Sequence, residues 1–129
     1  MVCKVQGTTD IAGYHAHVYY DAYSKSSASI LRKEIEKRFE IEMGRWHDRP
    51  VGPHPMWSYQ VAFEPSIFGE FVPWLALNRG DLIIFVHPQT GKVIRDHTKN
   101  AIWLGQSQGL NLAPLERAEA SQSTTSAPG

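Results

Sequence analysis

The sequence is short of three things: cysteine, net charge and long apolar runs. Its single cysteine, Cys3, cannot close an internal disulfide. This excludes a disulfide scaffold and a thiolate-built zinc cluster, so any metal chemistry must rest on histidine or carboxylate. Lys and Arg number 13 against 13 Asp and Glu, without a basic cluster, and nothing marks the chain as a partner of nucleic acid. The longest apolar run is about Leu82 to Val86, far below the roughly 20 residues that span a bilayer. Met1 to Asp10 has no apolar stretch of the signal-peptide kind, so a cytoplasmic location is expected and no membrane partner.

What is present suffices for one compact domain: 129 residues, of which 42% are apolar. Residues 1–115 read as that domain. Residues 116–129, ERAEASQSTTSAPG, carry no large apolar side chain and read as a disordered tail.

Within the domain, period-two and period-3.6 patterns follow one another. Ile11 to Tyr20 alternates as a strand, with Tyr14, Ala16, Val18 and Tyr20 on one side and His15, His17 and Tyr19 on the other. Asp21 is placed to cap a helix reaching Phe39, with Ala28, Leu31, Ile35 and Phe39 on its apolar face and Arg32, Lys33, Glu36 and Lys37 left to solvent. A short strand over Ile41 to His47 precedes the proline-rich loop Asp48 to Pro55. Met56 to Phe63 is a third strand, with Trp57, Tyr59, Val61 and Phe63 on its bulky side. Ser66 to Asn78 has a helical face and Gly80 as its stop, while Pro73 predicts a kink or a fresh start. Leu82 to His87 is the fourth strand, and Lys92 to Leu104 is expected to return as an extended arm.

This order, βαββαβ, is the split pattern of an α+β, ferredoxin-like fold: an antiparallel sheet, both helices on one face, strand one between strands three and four. His15, His17, Tyr19, Ser58, Gln60, Ile83, Phe85 and His87 are then left on the other face. An apolar patch of Met56, Ile83 and Phe85 there predicts a homodimer whose sheets pack together in a barrel-like assembly.

Six histidines are present, at positions 15, 17, 47, 54, 87 and 97. Two strand residues apart, His15 and His17 point to the same face, as two ligands of one metal require. An antiparallel fourth strand brings His87 to the beginning of the first, near His15. His54, on the proline-rich loop, can fold toward the same place, and His97 returns on the arm. Filling a core with three or four imidazoles would be unusual, because each ring needs partners for its nitrogens. A set of two histidines and a carboxylate stays open beside an all-histidine set, with Asp21, Glu64 and Asp96 as the carboxylates near the strands. His47 is read as a surface residue.

Five blocks, YHAHVYYD (Tyr14 to Asp21), RPVGPHPMWSYQVAF (Arg49 to Phe63), VPWLALNRGDL (Val72 to Leu82), VHPQTG (Val86 to Gly91) and DHTKNAIWLG (Asp96 to Gly105), resemble in order the fungal and bacterial DOPA 4,5-dioxygenase family. The resemblance implies an extradiol catechol dioxygenase of ferredoxin-like fold, using non-haem Fe(II) and dioxygen, with L-DOPA converted to 4,5-seco-DOPA, the precursor of betalamic acid. The family's histidines fall on His15, His17, His54, His87 and His97. On this reading His15, His17 and His87 hold the metal, His54 and His97 move protons or touch substrate, and Tyr19, Ser58 and Gln60 contact the catechol. Two other classes fit the same sequence: a dimeric module that binds a small aromatic ligand without chemistry, and a cofactor-free oxygenase.

Overall fold

The computed structural model describes residues 5, 7 and 10–125. In chain order its elements are β1 (Gly13–Tyr20), α1 (Lys25–Arg38), β2 (Glu42–Met43), β3 (Trp57–Phe63), a 3-10 turn (Pro65–Ile67), α2 (Phe68–Asn78), β4 (Ile83–Gln89), α3 (Val93–His97), β5 (Ile102–Leu104) and α4 (Ala113–Thr125). The strands form one antiparallel sheet in the order β2-β3-β1-β4-β5. The predicted α+β architecture holds, with β1 between β3 and β4.

One face of the sheet carries the apolar core. Ala16, Val18 and Tyr20 of β1, Tyr59, Val61 and Phe63 of β3, and Ile84 and Val86 of β4 pack under Ala28, Leu31 and Ile35 of α1 and Phe71, Val72 and Leu75 of α2. Each strand contributes alternate residues, as the pleat dictates. The Tyr59 hydroxyl, drawn into this core, donates to the Ala28 carbonyl at 2.8 Å.

Several local expectations are corrected. Asp21 does not cap α1 directly. Its carboxylate accepts the Tyr23 and Ser24 N–H groups at 2.9 Å each, while the Ser24 hydroxyl oxygen accepts the Asp21 N–H, and α1 starts after Ser24. Arg32 is not left to solvent. Its guanidinium lies 4.9 Å from the ring centres of both Trp46 and Tyr59 and donates to the Gly44 carbonyl, because its stem must cross apolar surface to leave the helix. Pro73 starts no new segment: α2 runs through it from Phe68, with Pro73 and Gly69 both on the exposed side where a missing hydrogen bond costs least. Gly80, at φ 57°, provides the expected stop.

The chain after β4 differs most from its sequence reading. The extended arm is broken by α3, and only Ile102–Leu104 pairs with β4, as a fifth strand. Residues 116–125 of the expected tail are helical and belong to α4, which starts at Ala113; their Ala, Glu, Arg and Gln residues favour helix although none of them is large and apolar. Asn111 starts it by accepting the Ala113 N–H, and Leu115 is buried. The remainder of the expected tail, 126–129, lies outside the described residues, as does most of the N-terminal stretch from which a cytoplasmic location was read.

The second face of the sheet is covered by this same chain. Loop residue His54, His97 of α3 and Trp103 of β5 lie against it, and the Asn111 N–H holds the distal segment to the Pro53 carbonyl. Phe85 is fully buried, so the apolar patch that called for a second copy is reduced to the half-buried Met56 and Ile83. No helix among the described residues is long and apolar enough to cross a membrane.

Candidate metal centre

The site is built by register. In the β1–β4 ladder His15 stands directly opposite His87 and His17 opposite Phe85, so the alternation of β1 puts His15 and His17 beside His87 on one face. One donor nitrogen from each of the three lies within 4.8 Å of the others. His17 Nε2 and His87 Nε2 are 3.1 Å apart. Two nitrogens bound to one first-row ion at about 2.1 Å, with bond angles of roughly 90 to 109°, stand about 3.0 to 3.4 Å apart. The His17–His87 pair therefore has the spacing of two ligands of one divalent ion, and His15 stands close enough to supply a third.

Hydrogen bonds orient the rings. His87 Nδ1 lies 3.0 Å from the Pro88 carbonyl oxygen, and His97 Nδ1 lies 2.8 Å from that of Val93. A carbonyl only accepts, so both rings are assigned as Nδ1–H tautomers with bare Nε2 atoms. Such an outer bond fixes a ligand imidazole in place. His54 is carried from its loop to 4.1 Å from the His17 ring centre, and its Nδ1 is hydrogen-bonded to the Tyr19 hydroxyl at 2.8 Å. His97 packs on His87 with ring centres 3.9 Å apart.

Burial decides the charge state. His17 is 5% exposed and His87 3%, and burial pushes both imidazoles down, His17 well below its ordinary value and His87 to about 3. His54 is pushed down to about 4, and His15 and His97 are lowered too, again chiefly by burial. Neighbouring imidazoles oppose a second charge in the same space. At neutral pH the cluster is uncharged, which is the form that ligates metals. His15, the half-buried member of the three, is where the group meets solvent.

Five of the six histidines thus converge, and His47 stays apart, half-buried and bridged through its backbone to Ser58. Tyr19 is brought in through His54. Register sets Gln60 opposite His17 and the buried Ser58 opposite Tyr19, on the same face. Of the carboxylates, Asp21 is spent on its turn. Asp96 is buried, but it accepts from Thr90 and Asn100, and only the three imidazoles form a metal-holding group among the described residues. Sequence reasoning weighed Asp96 only as a ligand and missed this brace, which no spacing rule announces. It also missed the wall made by Phe85 and Trp103, whose ring centres are 4.5 Å apart. A cleft of about 820 Å³ opens at the far end of the sheet between α1 and the α2–β4 turn; it touches Tyr19 but none of the histidines.

The profile of the Dopa 4,5-dioxygenase family matches residues 14–114. An uncharacterized 21.2 kDa protein of Botryotinia fuckeliana is 37% identical over 116 residues, covering 81% of this chain and 63% of its own length. The DOPA 4,5-dioxygenase of Amanita muscaria is 33% identical over 116 residues, covering 83% of this chain and 51% of its own. The chain thus spans about half to two thirds of the length of these curated relatives. The crystal structure of a candidate dioxygenase from Nostoc punctiforme superposes with a TM-score of 0.86 at 48% identity, covering 88% of this chain and 99% of that one. On these matches the chain belongs to the Dopa 4,5-dioxygenase family.

Proposed function

We propose that the chain is an extradiol dioxygenase that inserts both atoms of dioxygen into a catechol ring, with L-DOPA as substrate and 4,5-seco-DOPA as product. The observation that carries this reading is the convergence of three neutral imidazoles, with donor nitrogens within 4.8 Å, in a chain of this family. His15, His17 and His87 would hold ferrous iron. The chemistry such an ion would supply is electron transfer between a catecholate and dioxygen.

The chain's own residues do the rest. Ring opening needs a proton taken from a catechol hydroxyl and a proton returned to oxygen. His54 and His97 lie against the ligand rings and are uncharged at neutral pH, so each can accept a proton. The exchanging atom of His97 is Nε2, since its Nδ1–H is held by Val93. His54 moves a proton at Nε2 or through its Nδ1 contact with Tyr19. Phe85, fully buried, and Trp103 keep water from the inner side of the rings. Tyr19, Ser58 and Gln60 are the substrate contacts of this proposal. A homodimer belongs to it as well, resting on the half-buried pair Met56 and Ile83 and decided by light scattering, as does a cytoplasmic location, which fractionation decides.

The test is anaerobic loading with ferrous iron, then L-DOPA and air, with the absorbance followed for the yellow ring-opened product. The expected result is a chromophore that needs both iron and oxygen. Binding of catechols without any chromophore would replace the proposal by a ligand-binding module, and a chromophore insensitive to chelators by a metal-free oxygenase.

A further inference from the structure

Asp96 is the buried carboxylate of the described residues, 3% exposed, and it stands directly before His97. Its Oδ2 accepts the Thr90 N–H at 2.8 Å, and its Oδ1 accepts the Thr90 hydroxyl at 2.7 Å and the Asn100 side-chain amide at 3.1 Å. These partners come from two places. Thr90 belongs to the turn that leaves β4 just after His87, and Asn100 to the turn that leaves α3 just after His97. Between them Gly91, at φ 93°, reverses the chain.

The helix that carries His97 cannot hold itself. Five residues, Val93–His97, recover too few hydrogen bonds to repay nucleation, so an isolated segment of this length is not helical in water. Its position must come from outside contacts. A buried carboxylate bonded to a backbone N–H, a hydroxyl and an amide is a strong one, because hydrogen bonds to a charged acceptor are shorter and stronger than neutral ones. His97 depends on that position. Its ring is held by the Val93 carbonyl one helical turn back and packs on His87 at 3.9 Å and near Phe85 at 5.8 Å.

We propose that Asp96 is a positioning residue of the imidazole site: its carboxylate clamps the turn after His87 to the helical turn that bears His97, and so keeps the His97 ring against His87 with its Nε2 bare. A carboxylate meets all three donors as they stand, whereas an asparagine keeps them only by turning its oxygen to the Thr90 N–H and reversing both the Thr90 hydroxyl and the Asn100 amide. The clamp also explains why a site spread over β1, a long loop and α3 needs no carboxylate ligand from this segment: Asp96 acts on the histidines through the backbone.

The positional part of this proposal stands on geometry alone, and its effect on rate rests on the dioxygenase reading, so the test separates the two. Asp96→Asn and Thr90→Val are made in the full chain, and two-bond proton–nitrogen spectra of the imidazoles are recorded without added metal and again with zinc as a diamagnetic ion. In the parent protein His97, identified by loss of its signals in His97→Gln, shows the single Nδ1–H tautomer. Both variants are expected to show His97 as a mixture of tautomers. In the iron-loaded enzyme kcat is expected to fall roughly 10- to 100-fold while KM moves less than about threefold, as displacement of a proton-transferring group predicts. Thr90→Ser, which keeps the hydroxyl, restores both signatures. Thr90→Val removes one of the three bonds and carries the test if Asp96→Asn fails to fold. An unchanged His97 signature in folded variants overturns the proposal. Absence of ring cleavage in the parent protein would defeat the dioxygenase reading and leave the spectral result to decide the clamp.

Discussion

The two faces of one sheet show how the same strands serve opposite ends. On β1, Ala16, Val18 and Tyr20 face the helices, and His15, His17 and Tyr19 face the other way. The first set lowers the free energy of folding by leaving water. The second buries imidazoles whose ring nitrogens need partners, and contributes less stability than apolar side chains of the same volume would. One face makes the protein stable, and the other spends part of that stability on a site. The division is testable, because a substitution on either face should move one property and leave the other.

The largest effect is expected on the imidazole face. His17→Ala or His87→Ala should weaken ferrous-ion binding by at least roughly 100-fold, since loss of an outer partner of a ligand already costs 10- to 100-fold. The melting temperature of the metal-free protein should change little, and His87→Leu should leave it unchanged or raised. Calorimetric titration and thermal melts read the two properties separately. On the helix-covered face the pattern reverses. Phe71, fully buried, should cost about 3 to 5 kcal/mol when truncated to Ala, with unchanged ion affinity in the fraction that stays folded.

Acid should distinguish the faces next. His54 has its pKa lowered from 6.5 in the unfolded chain to about 4 in the fold. Between those values the unfolded chain binds more protons, so stability is fully present above about pH 6.5 and falls as the pH drops toward 4. The loss from His54 alone is on the order of 3 kcal/mol. The other lowered imidazoles add to the same slope, so the difference between the parent protein and His54→Leu, in urea unfolding of the metal-free proteins at a series of pH values, measures it. The smallest effect belongs to Arg32, where Arg32→Met keeps the stem over Trp46 and Tyr59 and gives up the bond to Gly44. About 1 kcal/mol is expected in a denaturant melt, because the change also removes a buried Nη1 that has no partner.

Much of this contrast was legible before the fold was known. Strict alternation in Tyr14 to Tyr20 fixed which residues share a face, and antiparallel pairing then had to bring His87 to His15. Long-range folding back left no such trace. Nothing in a single sequence says that His54 will reach Tyr19, because His54 sits on an irregular loop with no period, beside Pro53, whose carbonyl is bonded from the distant Asn111. At five residues, α3 is too short to show a period, and Lys92 to Leu104 therefore read as extended. Helix α4 is hidden for a different reason: its residues favour helix by intrinsic propensity, and past Leu115 they carry no apolar stripe to show a period. Arg32 defeats the rule that a helical charge faces solvent, because a long stem can lie over aromatic rings and still carry its charged head to a partner.

The most direct test of the central claim is X-ray absorption at the iron edge on the anaerobically loaded protein, compared with His15→Ala, His17→Ala and His87→Ala. The account predicts one iron per chain whose inner shell shows three imidazoles in the parent protein, and loss of stoichiometric binding in each variant. Iron bound at full stoichiometry with the same inner shell in any of these variants would contradict it.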